Sequence, residues 1–254
     1  MHQSARQAAI LKSLEVQGIC TVVDLAAEMA VSDETIRRDI KVMANKGLVE
    51  RVHGGVLLPE LFREPDFQKR MNRNAAAKQT IARLAAACVA NGETLMMDTG
   101  STTAYVARAL AGHADLMVVT NCTGIAGSLS PGKGTRVYLT GGEFRSDDGA
   151  VLGASAIEFV KQFRVRLAIL SMGAINLEDG LMDFHLGEAE FSRAIIAAAR
   201  RVIVVADHTK FDAQAPVRVC GFEDIDTLIT ERPPPAPYAE RLAEAGVDLL
   251  TATS

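Results

Sequence analysis

From residue 75 onward the chain alternates short apolar runs with longer amphipathic stretches, and that rhythm admits few folds. The runs fall at 94–97, 116–119, 136–139, 167–170, 202–205, 227–229 and 248–250, all too short for core helices. Segments at 102–111, 122–129, 153–163, 186–199 and 238–245 lie between them with helical spacing, and an amphipathic helix at 75–89 opens the series. Strands apolar on both faces and separated by helices predict a parallel α/β sheet.

The first 58 residues have another texture. Ile10, Leu11 and Leu14 put an apolar stripe on a helix that begins near Ser4 and stops at Gly18. Thr21 is placed to cap a second helix, with Asp24 as the reciprocal acid of a capping box and Val22, Leu25, Ala26 and Met29 facing inward. Ser32 caps a third helix carrying Ile36, Ile40 and Met43 at helical spacing, and Gly47 stops it. Residues 48–52 and 56–58, joined through His53, Gly54 and Gly55, form a hairpin. Helix, helix, turn, helix, hairpin is the order of a winged helix-turn-helix, placed at 1–58. Residues 59–74 are rich in charge and proline and read as a connector, leaving 75–254 as a larger second domain.

The chain carries a formal charge of −4, so composition alone gives no signal for nucleic acid. The charge is uneven, however. Arg37, Arg38, Lys41, Lys46 and Arg51 stand against only Asp39 and Glu50 between positions 37 and 53. On the third helix Ser32, Glu34, Thr35, Arg37, Arg38 and Lys41 occupy the face away from the core, while Arg51 and His53 sit on the hairpin and Gly54 in its turn. A helix enters the major groove when that face carries donors for phosphates and base edges, and a wing tracks the backbone. A solvated charged face on a three-helix bundle is the plainer alternative. The hairpin and the local basic excess favour double-stranded DNA.

Cys20, Cys88, Cys122 and Cys220 lie in apolar stretches without the spacing of a zinc knuckle or redox pair, which predicts reduced, buried thiols. The N-terminal residues lack the basic-then-apolar pattern of an export signal, and no apolar run reaches membrane-spanning length. A cytoplasmic protein with no membrane partner is expected. Tryptophan is absent, which argues against a stacking platform for single strands.

Asp98, Thr99, Gly100, Ser101, Thr102 and Thr103 end a strand and open a helix. Gly100 permits a tight turn, and the free N–H groups of the helix start can cradle an anion beside the hydroxyls. Ordinary N-capping by Ser101 or Thr102 is the competing explanation. Thr120 and Asn121 end another strand, and Gly141 and Gly142, with Arg145 close behind, end a third. Ligands of open α/β sheets gather at such carboxyl ends.

The run from Val31 to Ile40 (VSDETIRRDI), with Gly47-Leu48 and Arg51-Val52-His53-Gly54-Gly55, resembles the DNA-binding signature of the DeoR family of repressors. By that resemblance the third helix is the recognition helix, the His-Gly-Gly turn belongs to the wing, and Thr35, Arg37 and Arg38 contact DNA. Asp39 orients an arginine or caps locally. The likeness continues through Ser171-Met172-Gly173-Ala174, Glu188-Ala189-Glu190 and the run from Ala206 to Phe211 (ADHTKF) to cover essentially the whole chain. It implies a C-terminal sensor domain similar in fold to ribose-5-phosphate isomerases and coenzyme A transferases, and a phosphorylated sugar or polyol as inducer. Asp98, Gly100, Ser101, Thr102, Thr103, Thr120, Asn121, Gly141, Gly142, Arg145, Gly173, Glu188 and Lys210 are then the candidate ligand residues. Lys210 could equally be a solvated loop lysine, and Glu188 a charge favoured by a helix N-terminus. The segments 141–149 and 159–164 and the three prolines at 233–235 resemble the branch of the family that responds to glycerol 3-phosphate, whereas 183–187 departs from it.

The stretch 127–134 nearly spells a nucleotide-binding loop, but Gly134 stands where a magnesium-holding hydroxyl is needed and a strand follows where a helix should. It reads as a helix end and a turn. His185, Glu188 and His208 fit no compact zinc spacing, so neither metal nor cofactor is expected. A repressor acting as a homodimer or homotetramer, and not an enzyme, is the resulting expectation. The alternative is a sugar-phosphate isomerase-like enzyme with an accessory DNA-binding domain, for which Asp98, Glu188 and Lys210 could be cast as base and cation.

Overall fold

The computed structural model describes residues 3–17, 19–52, 55–57 and 64–252, and it divides into two compact units, Met1–Glu64 and Pro65–Ser254. His53, Gly54, Gly18, Leu58 and the first five connector residues (59–63) lie outside the described residues.

The N-terminal unit runs α1 (Gln3–Gln17), β1 (Ile19–Cys20), α2 (Val22–Glu28), α3 (Asp33–Asn45), β2 (Glu50–Val52) and β3 (Gly55–Leu57). Local chemistry starts α2 and α3 at the residues the sequence suggests, although the Asp24 carboxylate meets the Thr21 hydroxyl and not the backbone amide that a capping box uses. Thr21 Oγ1 accepts from the Asp24 amide at 3.1 Å and donates to its carboxylate at 2.7 Å. Ser32 Oγ accepts from the Thr35 amide, and Gly47 takes φ +68° where the chain leaves α3. Ile10, Leu14, Leu25, Ile36, Ile40, Met43, Val49 and Val56 form its core. The hairpin has a third strand that the sequence reading lacked, since β1 pairs antiparallel with β3.

Asp39 is 1 % exposed on the inner face of α3 and accepts from Arg6 Nε and from Gln3 Nε2, tying α3 to α1. It thus orients an arginine, one of the two roles anticipated. Removing one member of a buried ion pair strands the other, which costs about 3 kcal/mol or more. Asp39→Ala should therefore lower the urea midpoint of the N-terminal unit in the full chain, followed by far-ultraviolet circular dichroism. An unchanged midpoint would show that Arg6 finds other partners at no cost.

The second unit opens with α4 (Phe67–Asn72), a helix inside the stretch expected to be a plain connector. Then come α5 (Ala75–Ala87), β4 (Thr94–Met97), α6 (Ser101–Ala109), β5 (Met117–Thr120), α7 (Thr123–Leu129), β6 (Arg136–Leu139), β7 (Glu143–Arg145), β8 (Ala150–Leu152), α8 (Ala154–Val160) and β9 (Val165–Ser171). The chain continues through β10 (Ala174–Asn176), β11 (Gly180–Asp183), α9 (Leu186–Ala198), β12 (Ala199–Val205), β13 (Val217–Cys220), β14 (Thr227–Ile229), α10 (Ala236–Glu244) and β15 (Asp248–Leu250).

Seven strands make a wholly parallel sheet in the order β15-β14-β12-β9-β4-β5-β6. Period-two alternation splits each central strand between two cores. Leu95, Met97, Val118, Leu167, Ile169, Ile203 and Val205 pack under α5, α6 and α7. Met96, Val119, Ala168, Leu170, Val202 and Val204 face α8, α9 and α10. The strand order runs outward from β4 in one direction and then restarts at β9 in the other. The reversal point of such a sheet leaves a crevice beyond the carboxyl ends of the two strands that flank it. Here those ends are Asp98, just past β4, and Ser171, the last residue of β9.

Two further features were not foreseen. A small antiparallel sheet, β10-β11-β13, pairs Leu181 with Cys220, and a hairpin joins β7 to β8. The segment 127–134 is a helix end and a turn, with the Gly132 amide bonded to the Leu129 carbonyl. All four cysteines are free thiols, three of them buried and Cys88 half-buried. Among the described residues no helix is long and apolar enough to cross a membrane.

Candidate DNA-reading face and anion site

Ser32, Glu34, Arg37, Arg38 and Lys41 are exposed along α3, Thr35 is half-buried, and Arg51 is exposed on β2. Arg37, Arg38, Lys41 and Arg51, with Glu34, Thr21 and Gly55, line a groove of about 760 Å³ within the N-terminal unit. The Ser32 and Thr35 hydroxyls are 2.9 Å apart at the start of α3. Arg38 pairs with Glu34 at 3.5 Å, but with side chains 79 % and 69 % exposed the pair is worth a few tenths of a kcal/mol. These guanidinium groups therefore remain available to a polyanion.

At the reversal point of the large sheet, Asp98, Thr99, Ser101, Thr102 and Thr103 are buried, as are Thr120 and Asn121. Ser171 donates from its amide to Asp98 Oδ2 at 2.9 Å, joining the two strand ends that flank the reversal. Asp98 Oδ1 is buried without a hydrogen-bond partner. Burial pushes this carboxyl up to about 7 against the lowering effect of the Ser171 amide, so near neutrality it shares its time between acid and carboxylate. Thr103 Oγ1 donates to backbone carbonyls at Asp98 and Gly100, and Thr99 Oγ1 bonds Asn121 Oδ1 at 3.0 Å. Thr120 Oγ1 accepts from the Cys122 amide. A Cβ at Gly100 would stand 1.9 Å from Ser171 Oγ and about 3 Å from Ser171 Cβ and Thr103 Oγ1, so a side chain here would force Ser171 to turn away.

One residue missed from sequence lies at the start of α6. Lys78, on the inward stripe of α5 with Ile81 and Ala82, is 3 % exposed, and its Nζ donates to Ser101 Oγ at 2.9 Å and to the Arg70 carbonyl. It has no carboxylate within ion-pair distance among the described residues. Burial lowers its ammonium to about 8; Asp207 opposes this, while Lys210, Arg70 and Arg73 reinforce it. Of these cations only Lys78 is bonded to the start of α6, through Ser101, among the described residues. The signal in the sequence was a lysine at an apolar position of an alanine-rich helix.

Other candidates are placed differently. Lys210 Nζ donates to the Gly173 carbonyl at 3.1 Å, which brings two of them together. Gly173 itself packs under Phe184, whose ring atoms would lie about 3 Å from any added Cβ. Arg145 bonds both Asp148 and Glu188. Burial disfavours the Asp148 carboxylate, yet Arg145 holds it below the ordinary range. Gly141 and Gly142 are exposed in the turn between β6 and β7, where Gly142 has φ +147° and a Cβ would strike the Leu152 carbonyl.

Comparison with known proteins agrees with this division. Residues 6–61 match the DeoR-like helix-turn-helix domain, and residues 73–232 match the DeoR C-terminal sensor domain. The chain is 34 % identical over 249 residues to the glycerol-3-phosphate regulon repressor of Escherichia coli K12, covering 98 % of this chain and 99 % of that one. It is 36 % identical over 230 residues to the protein of the same name from Haemophilus influenzae, covering 91 % and 90 %. It is 30 % identical over 251 residues to the transcriptional repressor GlcR of Bacillus subtilis, covering 98 % and 96 %. Among solved structures, ribose 5-phosphate isomerase A of Methanocaldococcus jannaschii aligns with a TM-score of 0.39 at 14 % identity, over 54 % of this chain and 55 % of that one. On its two matched domains and its near-full-length relatives, the chain belongs to the DeoR family of transcriptional repressors.

Proposed function

We propose that this repressor binds operator DNA through α3 and the hairpin, and releases it when a phosphorylated polyol, glycerol 3-phosphate in the first instance, occupies the crevice at α6. The protein acts in the cytoplasm as a homodimer or homotetramer, and it is a regulator, not an enzyme. Residues 1–58 read DNA through Ser32, Thr35, Arg37, Arg38, Lys41, Arg51, His53 and Gly54, 59–74 connect, and 75–254 sense and assemble. The observation that carries the sensor reading is the buried Lys78 ammonium, bonded to Ser101 at a helix N-terminus and without a carboxylate partner among the described residues. A phosphate monoester there would meet free helix N–H groups, hydroxyls and a desolvated cation together. Asp98 Oδ1, with no partner of its own, suits a hydroxyl of the same ligand. The two relatives named for the glycerol-3-phosphate regulon make that compound the first to test.

Thermal shifts against a panel of phosphorylated sugars and polyols test this directly. A ligand at 100 times its Kd stabilises the folded state by about 2.7 kcal/mol. The pH dependence has a definite sign. A bound phosphate favours protonated Lys78, so the complex holds that proton to higher pH than the free protein does. The contribution of Lys78 to affinity is then fully present below about 8 and is lost as pH rises past about 8. This is separate from the titrations of Asp98 at about 7 and of the phosphate itself at about 6. A ligand-induced shift that stays level from pH 7 to 10 would exclude Lys78 as the anion's partner.

A further inference from the structure

The Lys78 ammonium has a second function in the geometry around α4. This helix is the first element after residue 64, and the body of the sensor holds it at several points. Asp147 accepts from the Phe67 amide at 3.1 Å, Tyr105 donates its hydroxyl to the Met71 carbonyl at 3.1 Å, and Lys78 donates to the Arg70 carbonyl. The first is made from the turn between β7 and β8, and the second from Tyr105, one turn into α6. The third shares its ammonium with Ser101, the first residue of α6. One side chain therefore joins the opening of the anion site to the helix that leads back toward the DNA-binding unit.

An ammonium carries three N–H groups, and among the described residues Lys78 uses two on protein oxygens. The third is free for an anion at α6, so a ligand can bind without breaking the bond to Arg70. Such an anion holds the ammonium in its charged form and fixes its position. We infer that occupancy of the α6 crevice clamps α4 against the sensor through Lys78, tightening the segment that joins the two units. This rests on the sensor reading above and adds to it the direction of the change: ligand orders α4 and does not release it. Ordering matters because a ligand shifts an equilibrium only through contacts that differ between the two states. The bond to Arg70 supplies such a contact, one that is firm with ligand and weaker without it.

The test is amide hydrogen exchange of the full chain, with glycerol 3-phosphate or inorganic phosphate as probes, read at residues 70–73 and at β12 as an internal reference. A charge-assisted hydrogen bond corresponds to about tenfold in an opening equilibrium. Exchange at 70–73 is expected to slow about that much more than at β12. In Tyr105→Phe the ligand-free exchange at 70–73 should be faster, with probe affinity held within about twofold and the ligand-driven slowing retained. In Lys78→Met the slowing should vanish even at saturating probe. A probe that shifts the melting temperature while exchange at 70–73 stays unchanged, quickens, or slows only in step with β12 overturns the clamp and leaves the sensor reading standing. Absence of any melting shift with either probe overturns both.

Discussion

Replacing Arg37 and Arg38 together by glutamate should lower operator affinity by about 10²–10⁴-fold while the protein stays folded. A specific arginine contact to a base edge contributes about 1–3 kcal/mol, and reversing the charge adds repulsion from phosphates. Folding is spared because both side chains are exposed and, among the described residues, the ion pair lost is the weak one between Arg38 and Glu34. The salt dependence should change as well. Each lost phosphate contact reduces the slope of log affinity against log salt by about 0.9. A fluorescence anisotropy titration with a labelled operator at several salt concentrations gives both quantities. Unchanged affinity in this variant would remove α3 as the reading element.

The second large effect concerns the ligand. Lys78→Met should weaken binding of a phosphorylated effector by roughly 10²–10³-fold, because truncating one partner of a buried hydrogen-bonded charge pair costs about 2–5 kcal/mol. Its effect on the empty protein runs the other way. Methionine fills the space of the lysine stem, and removing a charge whose burial is costly offsets the loss of its bonds to Ser101 and the Arg70 carbonyl. The melting temperature without ligand should therefore hold or rise while calorimetric affinity collapses. A lysine that only braced α5 against α6 would give the reverse, a lower melting temperature with affinity preserved.

Most of the architecture could be read from the chain because its signals are local. The hydroxyls of Thr21 and Ser32 mark helix starts through bonds spanning three residues, and the apolar runs of β4, β9 and β12 cannot be placed anywhere but inside a sheet. What escaped was short or paired over long distances. β1 has two residues and gains its partner only after the hairpin forms, and β11 meets β13 across nearly forty residues, so neither leaves a periodic trace. α4 has six residues, too few for a helical stripe to stand out among prolines and charges. In the candidate site the loop from Asp98 to Thr103 was legible from its residue types. The cation beside it was not, because a lysine in an alanine-rich helix reads as solvated until the helix is seen to bury that face. Arg145 and Glu188 show the converse limit. Each looks like a ligand residue alone, yet they bond to each other across 43 positions.

The whole account requires that one small anion bound in the sensor unit changes the grip of α3 on DNA. The decisive measurement is anisotropy of a labelled operator fragment bound by the full chain, titrated with glycerol 3-phosphate at constant ionic strength. The expected result is progressive release of DNA, absent in Lys78→Met over the same concentration range. Operator affinity that stays constant while calorimetry shows the ligand bound would contradict it.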